Sequence, residues 1–340
     1  MKLVGKAAEY DEVLRGDCMI KDISFEITQK CLNKCVHCSS CSDSCCNQQI
    51  NYETICKTVD SMPEIGVERV CLSGGEPFLH PDLEKVVAYI KNKGIEVNIY
   101  SSGILEENGK PTSVSAGRLL KLKECGLSKI MFNVQSTSEE GYDRITGTNG
   151  RFPIVKESIR NAVEAGLYIE IHFVPMKFNF GDIDNMIKFA KDNNVNKVSF
   201  LKLVPHGRAL ANKEMIQLSS EETIELRNKL ENIKSEHIRI GIPLSLDFES
   251  DFCHAASSKL YIKFDGTVYG CEAFKYIRQL DDSDNEIQPC NIFDHNLIDI
   301  YGNSEYIRAT KKFIGKYSSL NSRCESCPVQ KYLEIAGGKL

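Results

Sequence analysis

Cys31, Cys35 and Cys38 form a C-x3-C-x2-C run. Three thiolates at that spacing can hold three irons of a [4Fe–4S] cube, because the short arcs between them fit a loop wrapped round one corner. Such cubes usually take four protein thiolates, so a run of three leaves one iron open to an outside ligand. That opening is a place for chemistry and not only for electron storage. A second segment is Ser73-Gly74-Gly75-Glu76-Pro77. Paired glycines let backbone approach a ligand that a Cβ would push away, and a carboxylate there can accept hydrogen bonds from an ammonium group. Read alone, the segment is also an ordinary turn, since Gly and Pro punctuate loops. A third constellation lies near the C-terminus: Cys253, Gly266 and Cys271, then Cys324-Glu325-Ser326-Cys327. Four-cysteine sites serve iron–sulfur clusters and structural zinc alike.

These residues need elements to position them. Strand-like runs recur at 23–28, 67–73, 95–101, 128–135, 168–175 and 197–204. The first, I-S-F-E-I-T, alternates as a half-buried strand does. Helix-like stretches fill the gaps near 52–62, 82–93, 115–125, 152–165 and 182–193, and Gly66, Gly94, Gly126 and Gly166 follow helical runs as C-terminal caps do. Repeated β–α units imply an α/β fold with a parallel sheet and helices outside it. Six are too few for a closed eight-fold barrel, so the expectation is a partial (β/α)6 barrel of about three-quarters of a turn. Sites in parallel barrels lie at the C-terminal strand ends, and the cysteine run follows the first strand accordingly. Past about residue 235 the rhythm stops. The expected division is an N-terminal extension over 1–22, the barrel over 23–235 and a small C-terminal region over 236–340. Within the last, 259–264 and 267–269 read as a hairpin turned by Asp265-Gly266, and 281–289 as a solvated surface loop.

The composition narrows the class. A chain of 340 residues can bury a full core. Its net charge of −5, with both signs interspersed, gives no electrostatic case for binding nucleic acid. No apolar run reaches the roughly 18 residues a membrane span needs, and the N-terminus lacks a secretory core, which makes the cytoplasm the expected location. The 15 cysteines therefore read as metal ligands rather than as a disulfide scaffold.

The C-x3-C-x2-C run after the first strand, with G-G-E-P after the second, resembles the radical S-adenosylmethionine (SAM) enzymes. The resemblance implies a [4Fe–4S] cluster on Cys31, Cys35 and Cys38 whose open iron binds the amino and carboxylate groups of SAM. It further implies that Gly74, Gly75, Glu76 and Pro77 contact the methionine amine. Ser101-Ser102-Gly103 ends the third strand, where the family often places polar residues near the ribose. The stretch 132–147 is similar to a family segment that usually reads S-L-D-G; here Asn133 and Gln135 replace Ser and Asp, and either can hydrogen-bond a ribose hydroxyl. Arg144 is a candidate partner for the methionine carboxylate, with a surface arginine as the alternative. Gly207-Arg208-Ala209 is similar to a turn common in the peptide-modifying branch.

The pattern C-x12-G-x4-C, a gap, then C-x2-C resembles the auxiliary-cluster region called SPASM or twitch. Leu333 and Gly337 stand where a full SPASM region has further cysteines. The resemblance thus implies one auxiliary [4Fe–4S] cluster, of the twitch type, on Cys253, Cys271, Cys324 and Cys327, with zinc as the alternative. Cys41, Cys45 and Cys46 are candidates to give a hydrogen atom to a substrate radical, to bind a further metal or to cap an open iron. Cys290 is a candidate auxiliary ligand or thiol donor. Cys18, Cys56, Cys71 and Cys125 read as core packing.

What the resemblance implies for activity is reductive cleavage of SAM to a 5′-deoxyadenosyl radical that abstracts hydrogen from a substrate. A closed auxiliary cluster suits reactions that finish by losing an electron, whereas epimerisation needs a hydrogen-atom donor. The first expectation is oxidoreductive maturation of a ribosomally made peptide, by a crosslink such as a thioether or by epimerisation. A flavodoxin or ferredoxin would supply the electron, and a separate protein, or the barrel itself, would bind the leader peptide, since only 22 residues precede the first strand. The alternatives are oxidation or epimerisation of a small molecule such as an aminosugar, and a non-catalytic metal-binding or redox-sensing protein. The intact G-G-E-P segment argues against the last.

Overall fold

The computed structural model describes residues 19–204, 206–245, 253–281, 283–318 and 327–335. The chain begins with β1 (Asp22–Thr28), α1 (Tyr52–Asp60), β2 (Arg69–Gly74), α2 (Leu83–Asn92) and β3 (Glu96–Ser101). A short hairpin, β4 (Ile104–Glu107) and β5 (Lys110–Ser113), then leads to α3 (Ala116–Glu124) and β6 (Leu127–Asn133). After these come α4 (Glu139–Thr146), α5 (Phe152–Glu164), β7 (Tyr168–Phe173), α6 (Ile183–Asp192) and β8 (Lys197–Phe200). Two single turns, α7 (Arg208–Ala211) and α8 (Lys213–Ile216), precede α9 (Ser220–Asn232) and β9 (Ile238–Ile240). The α9 helix starts at a capping box in which Ser219 and Glu222 satisfy each other's backbone N–H groups.

The C-terminal part contributes β10 (Lys259–Ile262), β11 (Val268–Tyr269), the small hairpin β12 (Gln279–Leu280) with β13 (Glu286–Ile287), α10 (Leu297–Asn303), α11 (Glu305–Ser318) and α12 (Pro328–Ile335). Nine strands form one open sheet in the order β11-β10-β1-β2-β3-β6-β7-β8-β9. All neighbours are parallel except β10 and β11, the hairpin expected across Asp265-Gly266. The sheet thus runs past residue 235. Strand β9 extends it beside β8, and β10 adds to its other side against β1, with Ile23 opposite Leu260. The stretch expected as a plain loop over 281–289 carries β13.

Strands alternate, and the alternation shows where a ligand belongs. Ile23, Phe25, Val70, Leu72, Val97, Ile99, Ile130, Ile169, Ile171 and Val198 point into one helix-covered core. The intervening residues are polar: Ser24, Glu26, Cys71, Asn98, Tyr100, Lys129, Glu170, His172 and Ser199. Parallel strands covered on both faces read as near-continuous apolar runs. One polar face instead suits the inner side of a partial barrel built to take a ligand. A second core gathers Tyr261, Tyr269, Phe274, Tyr306, Val329 and Leu333. Strand β10 joins the two cores, with Leu260 and Ile262 in the first and Tyr261 in the second. Among the described residues no helix is long and apolar enough to cross a membrane.

Candidate functional site

The cysteine run sits in the loop that leaves the C-terminal end of β1. Its backbone is tied to the end of α4 by Lys34 N donating to Thr146 O (2.8 Å) and Val36 N to Ile145 O (2.9 Å). Cys31 and Cys35 are buried and Cys38 half-buried. Burial, and then the field of Cys38, push the Cys35 thiol up to about 12. Cys31 is likewise raised, by burial and by Cys35, Glu76 and Cys38. Cys31 and Cys35 act on each other and feel Cys38, a repulsion that a cation joining the thiolates would relieve. Soft thiolates beside an iron core remove that conflict. Among the described residues no three ligand-type side chains are drawn tightly around one point. Three cysteines on one short loop, two of them buried, are the soft donor set a [4Fe–4S] group takes, so the residues fit it.

The Gly74–Pro77 segment presses against this loop. Gly75 N donates to Thr28 O (2.7 Å) and Glu76 N to Lys30 O (2.8 Å). A Cβ on Gly75 would lie 2.1 Å from Lys30 O, so the glycine is required by the approach of the cysteine loop itself. Glu76 already has partners within the chain. Its carboxylate is fully buried and both oxygens are taken. Oε1 accepts from Ser101 Oγ (2.8 Å) and Phe78 N (3.2 Å). Oε2 accepts from Ser102 N (2.7 Å) and Ser102 Oγ (2.5 Å). Burial raises this carboxyl above the usual range, against the pull of those donors. With its lone pairs used, Glu76 is a clamp between the second and third strand ends rather than a free acceptor for an amine. Ser101 and Ser102 direct their hydroxyl hydrogens to it. Pro77 is buried at the start of the following turn.

At the end of β6, Asn133 Oδ1 accepts from Tyr100 OH (3.3 Å) and from Gln135 Nε2 (2.5 Å). Gln135 is fully buried. Its second amide hydrogen goes to His172 O (3.0 Å), and its oxygen accepts from Val174 N (2.7 Å). Gln135 therefore has no hydrogen left for a ribose hydroxyl and acts by orienting Asn133. The exposed Arg144 guanidinium, on α4, lies 3.7 Å from the Phe178 ring centre. That stacking is the surface alternative for this residue.

Sequence reasoning missed three lining residues. Cys71 is not core packing: its neighbours Val70 and Leu72 enter the core, while Cys71 faces the barrel inside, where Glu272, Lys259, Lys129 and Glu170 act on it. Burial pushes its thiol up to about 12. His172 Nε2 is 3.2 Å from Glu170 Oε1, and its ring centre is 5.0 Å from that of Tyr100. Glu170 also binds Ser199 and Arg239. Burial alone would raise its carboxyl, but the His172 and Ser199 bonds and the Arg239 charge hold it well below the usual range. The alternation of each strand was the available signal.

In the C-terminal part Cys253, Cys271 and Cys327 border the second core. Burial, then the fields of Cys253 and Glu272, raise the Cys271 thiol, and Cys327 adds to this. These thiols also fit an iron–sulfur group. Cys324, Gly337 and Cys18 lie outside the described residues, and Leu333 packs in the second core. Cys41 and Cys45 are exposed, and Cys46 Sγ is 3.4 Å from Asp43 Oδ1. Cys290 packs at the margin of the barrel core and lines a pocket with Asp281, Glu286 and His295, among whose lining no cluster cysteine stands. Cys56 and Cys125 are half-buried, and Cys125 packs on the core.

The two cysteine regions meet through Lys275. Its ammonium is buried, 3.5 Å from Glu26 Oε1 on β1, 3.0 Å from Ser39 Oγ and 2.7 Å from Ser40 Oγ. Both serines directly follow Cys38.

Comparison with known proteins agrees with this geometry. The model of the radical SAM superfamily matches residues 25–190, and that of the SPASM iron–sulfur cluster-binding domain matches residues 253–328. A "probable GTP 3′,8-cyclase" of Sulfurisphaera tokodaii is 31% identical over 65% of this chain and 68% of its own length. One of Methanococcus maripaludis is 25% identical over 83% of this chain and 88% of its own. The crystal structure of Streptococcus suis SuiB bound to its precursor peptide SuiA superposes with a TM-score of 0.70 at 15% identity, covering 97% of this chain and 75% of that one. AnSMEcpe with bound AdoMet gives a TM-score of 0.61 at 15% identity, covering 93% and 97%. The chain belongs to the radical SAM superfamily, as an enzyme with a SPASM-type C-terminal region that works with [4Fe–4S] clusters and SAM.

Proposed function

We propose that this enzyme modifies a ribosomally made peptide, by a crosslink such as a thioether or by epimerisation. The observation that carries the reading is the extent of the likeness. Barrel and C-terminal region superpose together on SuiB over 97% of the chain, and SuiB binds a precursor peptide. In this reading Cys31, Cys35 and Cys38 hold the SAM-binding cluster, and Cys253, Cys271, Cys324 and Cys327 the auxiliary one. When bound, the first group supplies the electron that opens the sulfonium of SAM. The chain's own residues do the rest. Glu76, Ser101 and Ser102 lock the strand ends under the cysteine loop, and Gln135 fixes Asn133 beside Tyr100. The polar inner face, with His172 oriented by Glu170, positions the substrate. A flavodoxin or ferredoxin supplies electrons, a separate protein presents the leader peptide, and the setting is the cytoplasm, where thiols stay reduced.

A second reading, a small-molecule reaction, is favoured by the curated relatives named GTP 3′,8-cyclase. One experiment separates the two. Anaerobically reconstituted enzyme, with SAM and dithionite, is offered short peptides encoded beside its gene, or GTP, or a nucleotide aminosugar. A peptide reading expects 5′-deoxyadenosine to rise about tenfold over the substrate-free rate with one such peptide, together with a change in its mass or stereochemistry. Turnover with GTP or the aminosugar, and none with any peptide, would overturn it.

A further inference from the structure

The loop that carries Cys31, Cys35 and Cys38 is gripped from above β8 by one side chain. Arg208 Nε donates to Cys35 O (2.8 Å), its Nη2 to Ser42 O (2.6 Å), and its backbone N to Cys38 O (2.9 Å). Gly207 is moulded to the same loop. At φ +56° it sits so close that a Cβ would lie 2.7 Å from Ser39 O and 2.9 Å from Cys41 Sγ. Asn212 Nδ2 adds a neutral clamp on Val36 O (2.9 Å).

The guanidinium is half-buried, and no carboxylate lies within ion-pair distance of it among the described residues. It acts on Cys35 more strongly than any other cation, ahead of Arg151, which binds Leu32 O and Asn33 Oδ1. Its field reaches Cys46 and the half-buried Asp43 as well. Arg208 thus fixes a positive charge against the loop through two carbonyls, beside the charges of Arg151 and Lys275.

Charge there has a consequence for an electron carrier. A [4Fe–4S] core on three thiolates is one unit negative when oxidised and two when reduced, and net charge and hydrogen bonding set its potential. A nearby cation favours the more negative form. We propose that Arg208 is a positioning residue for the SAM-binding cluster, fixing the Cys35–Ser42 arc and raising the reduction potential of the cluster its thiols hold. A planar guanidinium can span two carbonyls in one fixed orientation, which a lysine cannot.

The test is an EPR-monitored redox titration of the anaerobic, reconstituted holoenzyme, following the reduced signal that changes when SAM is added. In R208Q the ratio of reduced to oxidised cluster at a fixed potential falls about tenfold, a midpoint about 59 mV more negative for one electron. Iron content stays at the wild-type value. R208K keeps the charge and titrates within about twofold of wild type. N212A loosens the loop without altering charge and leaves the midpoint in place. An R208Q midpoint equal to wild type, or an N212A shift as large as that of R208Q, overturns the proposal. If R208Q retains no iron, R208K decides. A wild-type midpoint supports the charge effect, and a shift toward more negative potential overturns it.

Discussion

Glu76→Ala lowers the unfolding free energy by about 3 kcal/mol or more and abolishes SAM binding. The substitution strands Ser101 Oγ, Ser102 N, Ser102 Oγ and Phe78 N, all of which donate to the carboxylate. Each buried donor left without an acceptor costs about 1–3 kcal/mol. Glu76→Gln is nearly as damaging, for a geometric reason. Each carboxylate oxygen accepts one backbone N–H, that of Phe78 at Oε1 and that of Ser102 at Oε2. An amide has one oxygen, so either orientation sets an NH2 against a backbone donor that cannot rotate away. Anaerobic urea unfolding of both variants, beside SAM titration of the reconstituted proteins, checks this. A Glu76→Gln protein within about 0.5 kcal/mol of wild type, the range of an ordinary surface change, would mean that the clamp does not exist.

Lys275→Met costs about 3–5 kcal/mol, because removing one partner of a buried pair leaves the other charge uncompensated. Lys275 is 1% exposed and Glu26 4%. The lost ammonium also takes away the donor to Ser39 and Ser40 and the cation 4.9 Å above the Tyr261 ring. The double variant Glu26→Gln/Lys275→Met recovers most of the loss, since no buried charge is then left alone. Chemical unfolding of the two singles and the double gives the coupling. Additive losses would contradict the pairing. The second readout is the first cluster's EPR line shape, which changes in Lys275→Met because the serines that move directly follow Cys38.

Much of this was open to a reader of the sequence, and the rest was hidden for definable reasons. The metal loop and the glycine segment are local motifs, and their places after the first and second strands follow from β–α rhythm alone. The job of Glu76 does not. Its partners stand about 25 residues later on another strand, and spacing along the chain says nothing of register between strands. Cys71 was misread because small thiols are often buried, although the alternation of β2 puts it on the face opposite Val70 and Leu72. The α9 helix lacks a clear apolar stripe, and the Ser219–Glu222 capping box was its one legible sign. That β10 returns to pair with β1, some 235 residues away in sequence, is a non-local event with no local signal.

The most direct test of the central claim is a metal count paired with SAM cleavage. Wild-type protein and a Cys31→Ala/Cys35→Ala/Cys38→Ala variant are purified and reconstituted without oxygen, iron, sulfide and zinc are measured, and 5′-deoxyadenosine is followed after dithionite and SAM are added. The account predicts about eight irons in the wild type and about four in the variant, as two cubes and then one require, with nucleoside from the wild type alone. Equal iron in both proteins, zinc in place of iron, or nucleoside from the variant would contradict it.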